Sequence, residues 1–419
     1  MFYRVLGLAL IALMTGCDQD PGQVSFKRDI SPSIRKNCTS CHNPAGSGPF
    51  TLFSYQDVAS RSKTILSVLR SGYMPPWYAD SSFRHFENER FLTNDEIEKI
   101  EQWIREGKKK GGFDFERWSS YAYSSTRESV TYPLGEPFPI PGDNREYFVK
   151  FIVPFENEEE LNVKAVEFFP GAKKFVHHAN YGIYKVPGEV DLDNYDFQPI
   201  YSDQYDESIS QYEDLLTNMR FYLGWIPGSG PVEFDPGYGF VLPKKGVILF
   251  TLHYAPTPKK EQDQSSVRFY YDDEAIENPL YSISIGSGGI GRIVPKLEIA
   301  PNTIDTFRLK ETIPFNLKIH YLWPHMHLLG QAFEASILQR KDTLPLVRIP
   351  EWSFEWQEGY KFIEPLAVQK GSQVTLTASY DNTANNPNNP FSPPQTIYST
   401  GLMETKKEMM TLVLLYSRR

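Results

Sequence analysis

The chain has 419 residues, a formal net charge of −9, 14% aromatic residues and three cysteines. An acidic balance argues against nucleic acid as a partner, and the length calls for two or three domains. Each cysteine has an assignment below, so none is left to staple an exported protein, and the fold must rest on its core.

Met1-Phe2-Tyr3-Arg4, an apolar run from Val5 to Met14 and small residues before Cys17 form a leader too short to span a bilayer as a mature helix. It resembles a bacterial lipoprotein signal over residues 1–16, with lipid on the Cys17 thiol. The expected location is the periplasm or cell surface, held to a membrane by that anchor alone. No other apolar run approaches the length of a span.

Residues 20–112 read as a small all-α domain. Cys38-Thr39-Ser40-Cys41-His42 is the C-x-x-C-H of covalent haem c attachment, with Cys38 and Cys41 adding across the vinyl groups and His42 as the proximal ligand. Met74, in Met74-Pro75-Pro76-Trp77, is expected as the sixth ligand, because this stretch cannot continue a helix and resembles the Met-Pro-Pro-Trp segment of small bacterial cytochromes c. His85 competes with it. Helices are predicted over 26–37 and 55–70, and Thr93-Asn94-Asp95-Glu96 opens a third whose inner face carries Ile97, Ile100 and Ile104. Residues 113–144, rich in Ser, Tyr and Pro, read as an ordered linker.

From residue 145 the pattern changes to short apolar strands separated by Pro and Gly, as in Gly246-Val247-Ile248-Leu249-Phe250-Thr251-Leu252-His253-Tyr254. Such strands predict antiparallel sandwiches, and the length asks for two, 145–285 and 286–419, divided near 278–291, where Gly286-Ser287-Gly288-Gly289 is expected to interrupt the strands. The fold class is therefore α+β and multidomain: an all-α unit, then two β-sandwiches. Residues 189–213, acidic and tyrosine-rich, read as a solvated insertion.

Five of the eight histidines fall into three groups: His177-His178, His253, and His325 with His327. Strand periodicity places His325 and His327 on one face, a two-imidazole clamp, while Met326 turns to the core. His177 and His178 are adjacent, so a regular strand would separate them. They can share a metal only through a bulge or through binding by Nδ1. His320 lies outside every motif.

Phe175-Val176-His177-His178-Ala179, Gly224-Trp225-Ile226-Pro227-Gly228, Pro236-Gly237-Tyr238-Gly239, Leu252-His253-Tyr254, Pro324-His325-Met326-His327-Leu328-Leu329-Gly330 and Glu408-Met409-Met410 stand in the same order as in copper type II, ascorbate-dependent monooxygenases, and the chain resembles that family over nearly all of 145–419. The resemblance implies two jelly-roll copper sandwiches. His177, His178 and His253 would bind an electron-storing copper, and His325, His327 and Met409 an oxygen-activating one. Met403 and Met410 compete with Met409. A thioether suits Cu(I) and argues against zinc.

The implied activity is hydroxylation of a C–H bond with O2, catalysed at His325, His327 and Met409, with two coppers and one haem c as cofactors. Electrons would pass from the haem to the His177/His178/His253 copper and then to the second. An external donor, an ascorbate-like reductant or a quinol or cytochrome chain, would refill the haem. Trp323 stands where the peptide-amidating members carry a substrate-binding arginine, which favours a small apolar or aromatic substrate. The alternative is a lipid-anchored electron-transfer cytochrome whose sandwiches only bind copper or dock a partner.

Overall fold

The computed structural model describes residues 23–44, 46–111, 126–201, 209–399 and 406–419. Cys17 with its leader, residue 112, residues 113–125 of the linker and Met403 lie outside the described residues. Among the described residues the protein is mostly β-sheet in several layers, with a few helices near the N-terminus, and no helix is long and apolar enough to cross a membrane.

The helices form where local signals are strong. A π-helical turn, Phe26–Ile30, runs into the helix Ser31–Asn37, followed by Tyr55–Arg70 and Asn94–Arg105. The Ser54 hydroxyl accepts the Asp57 N–H, and Thr93 and Glu96 cap each other reciprocally, as the sequence predicts. Phe26, Ile34, Ile65, Leu69 and Ile100 close a small core around Trp103. Ile97 and Ile104 sit at its margin.

A nine-stranded sheet dominates the rest. Its order is Glu128–Pro133, Ser266–Tyr271, Leu161–Phe169, Tyr238–Leu242, Asn278–Gly286, Thr411–Arg418, Leu317–His325 and Tyr360–Val368, with Val232–Glu233 paired beside Leu161–Phe169. One end faces a five-stranded sheet whose middle strands are Tyr147–Glu156, Lys245–Tyr254 and Val176–Lys185, and Phe151, Phe168, Phe221, Phe250 and Phe269 fill the space between. The other end faces a second five-stranded sheet containing Ile304–Thr312, Gln373–Asp381 and Gly330–Gln339, around Phe307, Leu309, Phe333 and Leu376. Gln373–Asp381 buries alternate residues, as a strand with one wet face must. Thr411–Arg418 buries seven of eight: Leu412 and Leu414 enter one core and Leu415 the other.

The expected interruption at Gly286-Ser287-Gly288-Gly289 is a turn, and it ends the strand Asn278–Gly286, which pairs along its length with Thr411–Arg418 and, through Asn278 and Pro279, with Tyr238 and Gly239. One sheet thus runs through both halves of the β region. The 189–213 stretch differs from a purely solvated insertion. Tyr195, Phe197 and Tyr212 stack on one another and join Ile152 and Val247 in a separate apolar cluster, because three aromatic rings outweigh the acidic residues between them.

Residues 77–90 leave the helical unit and dock on the second half. Trp77, Ala79 and Phe86 join its core, and the Asp80 and Glu87 N–H groups donate to the Arg348 and Lys361 carbonyls at 2.8 and 2.9 Å.

Candidate metal centre

In the paired strands Val176–Lys185 and Lys245–Tyr254, His253 lies opposite His178 and Tyr254 opposite Val176, so His177 is the extra residue of a β-bulge. The bulge lets both adjacent histidines face His253. The Nδ1 atoms of His177 and His253, and of His253 and His178, are 3.2 Å apart, and those of His178 and His177 are 3.4 Å apart. The centre of that triangle, side divided by √3, is about 1.9 Å from each nitrogen, close to a metal–imidazole bond of roughly 2.0 Å. Of the two routes open at the sequence level, bulge and Nδ1 ligation, the geometry uses both.

The ring chemistry agrees with a cation at that point. His253 Nε2 donates to Glu146 Oε1 at 2.6 Å, which leaves a lone pair on Nδ1, and Phe148 stacks on the ring at 4.0 Å. Burial, with repulsion from His253 next, lowers His177 to about 4 and carries His178 well below its ordinary value. Both rings are therefore neutral near pH 7, the state a metal needs. Neutral imidazoles in threes suit copper or zinc.

The second pair forms differently from expectation. The strand Leu317–His325 stops at His325, so His327 is not its neighbour by strand periodicity. Glu408 makes the difference: its carboxyl accepts the His327 N–H at 2.9 Å and the Leu329 N–H at 2.7 Å, drawing the chain into a loop. The two Nε2 atoms still meet, 3.1 Å apart. His325 Nδ1 donates to Gln357 Oε1 and His327 Nδ1 to the Lys407 carbonyl at 2.7 Å, which turns both Nε2 lone pairs inward. Met326 is fully buried, as predicted. Burial raises the Glu408 carboxyl to about 8 against three backbone N–H donors.

Met409 is buried and lines a 270 Å³ cavity with His178, His325, Gln357, Trp225 and Trp323. Its carbonyl accepts the Tyr380 hydroxyl at 2.8 Å. Phe354 packs near both histidine groups, its ring centre 6.3, 6.2 and 5.8 Å from those of His177, His178 and His253 and 6.0 Å from that of His327. His325 and Met409 share this cavity with His178 of the triad, and imidazole and thioether donors of this kind suit copper.

Cys38 and Cys41 are free thiols, with burial pushing Cys38 up to about 12. His42 Nδ1 donates to the Phe50 carbonyl at 2.9 Å, fixing the tautomer that frees Nε2 for a ligand. Two free thiols beside such an imidazole fit the attachment chemistry of haem c. Met74 is half-buried after the helix Tyr55–Arg70, its N–H 3.3 Å from the Val68 carbonyl. His85 is exposed and pairs with Glu89 at 2.9 Å. His320 packs edge-on to Tyr238 and bonds Ser417 at 3.1 Å, an interior histidine with a structural partner.

No family model and no curated protein matches the sequence. Among solved structures, the chain is similar to the major capsid protein P2 of bacteriophage PM2 at 8% identity and TM-score 0.28, covering 70% of this chain and 97% of that one. It is also similar to the VP2 subviral particle of infectious bursal disease virus at 11% identity and TM-score 0.17, over 70% and 76% of the two chains. Allantoicase from Saccharomyces cerevisiae matches at 9% identity and TM-score 0.18, over 64% and 76%. Likeness at this level carries no functional argument, so the site must be read from its own atoms.

Proposed function

We propose that the protein is a copper-dependent monooxygenase that hydroxylates a C–H bond of a small apolar or aromatic substrate with O2, fed by a haem c in the same chain. The observation that carries this reading is that two unlike donor sets, three Nδ1 atoms and an Nε2 pair, both lie near Phe354 and each send one histidine, His178 and His325, to the same cavity. On this reading residues 20–112 are a cytochrome c unit, 145–285 and 286–419 are jelly-roll copper sandwiches, and Cys17 carries the membrane anchor.

His177, His178 and His253 would hold one copper, and His325, His327 and Met409 the other. When bound, copper at the two sites would supply one electron each for the reduction of O2. Glu146 fixes the His253 tautomer, and Gln357 and the Lys407 carbonyl aim the second pair. Trp225, Ile226, Ile283 and Trp323 give the cavity apolar walls that suit an apolar or aromatic substrate. Cys38, Cys41, His42 and Met74 would hold the haem, whose tether keeps the donor at high effective concentration for the copper sites.

Metal analysis combined with oxygen uptake tests the proposal. One iron and two coppers per chain, with O2 consumption by the reduced protein that disappears on copper removal and in His325→Ala, is the expected result. Zinc in the triad, or a copper-loaded reduced protein that leaves O2 untouched, overturns it.

A further inference from the structure

In Tyr147-Phe148-Val149-Lys150-Phe151-Ile152-Val153 one lysine interrupts an apolar run. Side chains alternate along a strand, and Val149 and Phe151 enter the core shared with the nine-stranded sheet, so Lys150 leaves by the other face together with Phe148. That is the face of the histidine triad. Phe148 lies opposite His253, and His253 opposite His178. Two residues along the same strands, Lys150 lies opposite Thr251, Thr251 opposite Asn180, and Asn180 opposite Gly224. A row of hydrogen-bonding side chains thus runs beside the row of rings, about 7 Å further along the strands. Lys150, Thr251, Asn180 and Gly224 all line the cavity reached by His178, His325 and Met409.

We propose, resting on the function above, that this row anchors the substrate by a carboxylate, with Lys150 setting the specificity, so that the substrate is a small apolar or aromatic acid. Taking an ammonium out of water costs free energy, yet Lys150 is only 6% exposed and the Thr251 beside it 7%. Among the described residues lining the cavity, Lys150 carries the formal charge and none is an aspartate or glutamate, so this wall is positive in sign. A carboxylate brought to it meets an ammonium, a hydroxyl and an amide N–H, donors that replace the water the anion sheds. Gly224 keeps the end of the row open, because a Cβ there would stand 3.0 Å from Asn180 Oδ1. The cavity's 270 Å³, just under the roughly 300–1,000 Å³ of drug-sized ligand sites, limits the acid to a small one. Held at Lys150, it has Trp225, Ile283 and Trp323 for its apolar body and His325 and Met409 for the carbon that reacts.

The test is isothermal titration calorimetry of the full chain as isolated, with benzoate, phenylacetate, 3-phenylpropanoate and hexanoate, each against its primary amide. At least one acid is expected to bind about tenfold or more tighter than its amide, as a hydrogen bond to a charged group supplies. Lys150→Met, similar in length and without charge, should bring acid and amide together while leaving amide affinity nearly unchanged, and Lys150→Arg should restore part of the preference. The wild-type ratio decides even where a variant fails to fold: acids that bind no tighter than their amides, or not at all, overturn the anchor. A preference that survives in Lys150→Met, as when the carboxylate ligates a metal instead, overturns it too. Copper-dependent O2 uptake by the reduced wild type, measured alongside, keeps the two claims apart. Uptake without acid selectivity removes the anchor and leaves the monooxygenase, whereas acid selectivity that depends on Lys150 in a protein that leaves O2 untouched removes the monooxygenase and keeps Lys150 as an acid-binding residue.

Discussion

His253 donates through Nε2 to Glu146 Oε1 at 2.6 Å, and that one bond decides which nitrogen of His253 faces the other two imidazoles. Without it the ring can flip tautomer and present N–H where a lone pair is required. Glu146→Ala is therefore expected to weaken metal binding at the triad by about 10- to 100-fold while sparing the His325/His327 pair. Glu146→Gln, which keeps an oxygen acceptor, should fall between. Competition titration with a calibrated copper chelator reads both, and an unchanged triad affinity in Glu146→Ala would remove the carboxylate from the site.

Glu408 does the same work for the second pair through the backbone. It accepts the N–H groups of His327 and Leu329 and, at 3.3 Å, of Met409, so one buried carboxyl ties the histidine loop to the strand that follows. Glu408→Ala leaves these donors unpaired and should cost roughly 3–5 kcal/mol in urea unfolding, less than the sum of three separate losses. Its pH signature is specific. A carboxyl raised to about 8 when folded, from an ordinary 4.5, adds stability that is whole at low pH and is lost as pH rises through that window. Wild-type protein should lose more stability than Glu408→Ala between pH 6 and 8.

Much of this arrangement was legible in the sequence and part was not, for physical reasons. The helix Tyr55–Arg70 and the Thr93–Glu96 cap follow from signals within a few residues, and local rules found them. The convergence of His177 with His178 depends on a bulge, which is a property of two strands and appears in neither alone. Glu146, Phe354 and Gln357 carried no local pattern; each is brought to the histidines by tertiary packing. The pairing of Asn278–Gly286 with Thr411–Arg418, which carries one sheet through both halves, is likewise a long-range contact that no local pattern announces.

His320 offers a test of burial without metal chemistry. Desolvation holds its folded value at about 4 against an ordinary 6.5, so the unfolded chain takes up a proton below pH 6.5 that the folded protein refuses until about 4. Stability should therefore fall as pH drops across that window, by up to about 3 kcal/mol from this ring. The check is the difference in urea midpoint between wild type and His320→Gln at pH 7 and pH 5. Equal losses in the two proteins would mean that the ring is protonated in the fold.

Gly286 and Ser287 clamp Met410, the neighbour of Met409, from outside the proposed metal site. The φ of Gly286 is 107°, a region that side chains rarely adopt, and a Cβ there would overlap the Met410 carbonyl. Directly after it, the Ser287 N–H donates to the Met410 carbonyl at 2.9 Å, and the Ser287 hydroxyl accepts the Met410 N–H at 3.1 Å. Gly286→Ala should strain this clamp by about 1–3 kcal/mol and displace the segment next to Met409. Cu(I) affinity of the His325/His327 site should then fall, whereas the triad, held by other strands, keeps its copper. Site-resolved X-ray absorption on the cuprous protein separates the two, because only the second site would lose a sulfur scatterer. A sulfur signal that survives in Gly286→Ala, with stability reduced, would show that Met409 reaches the metal without help from this turn.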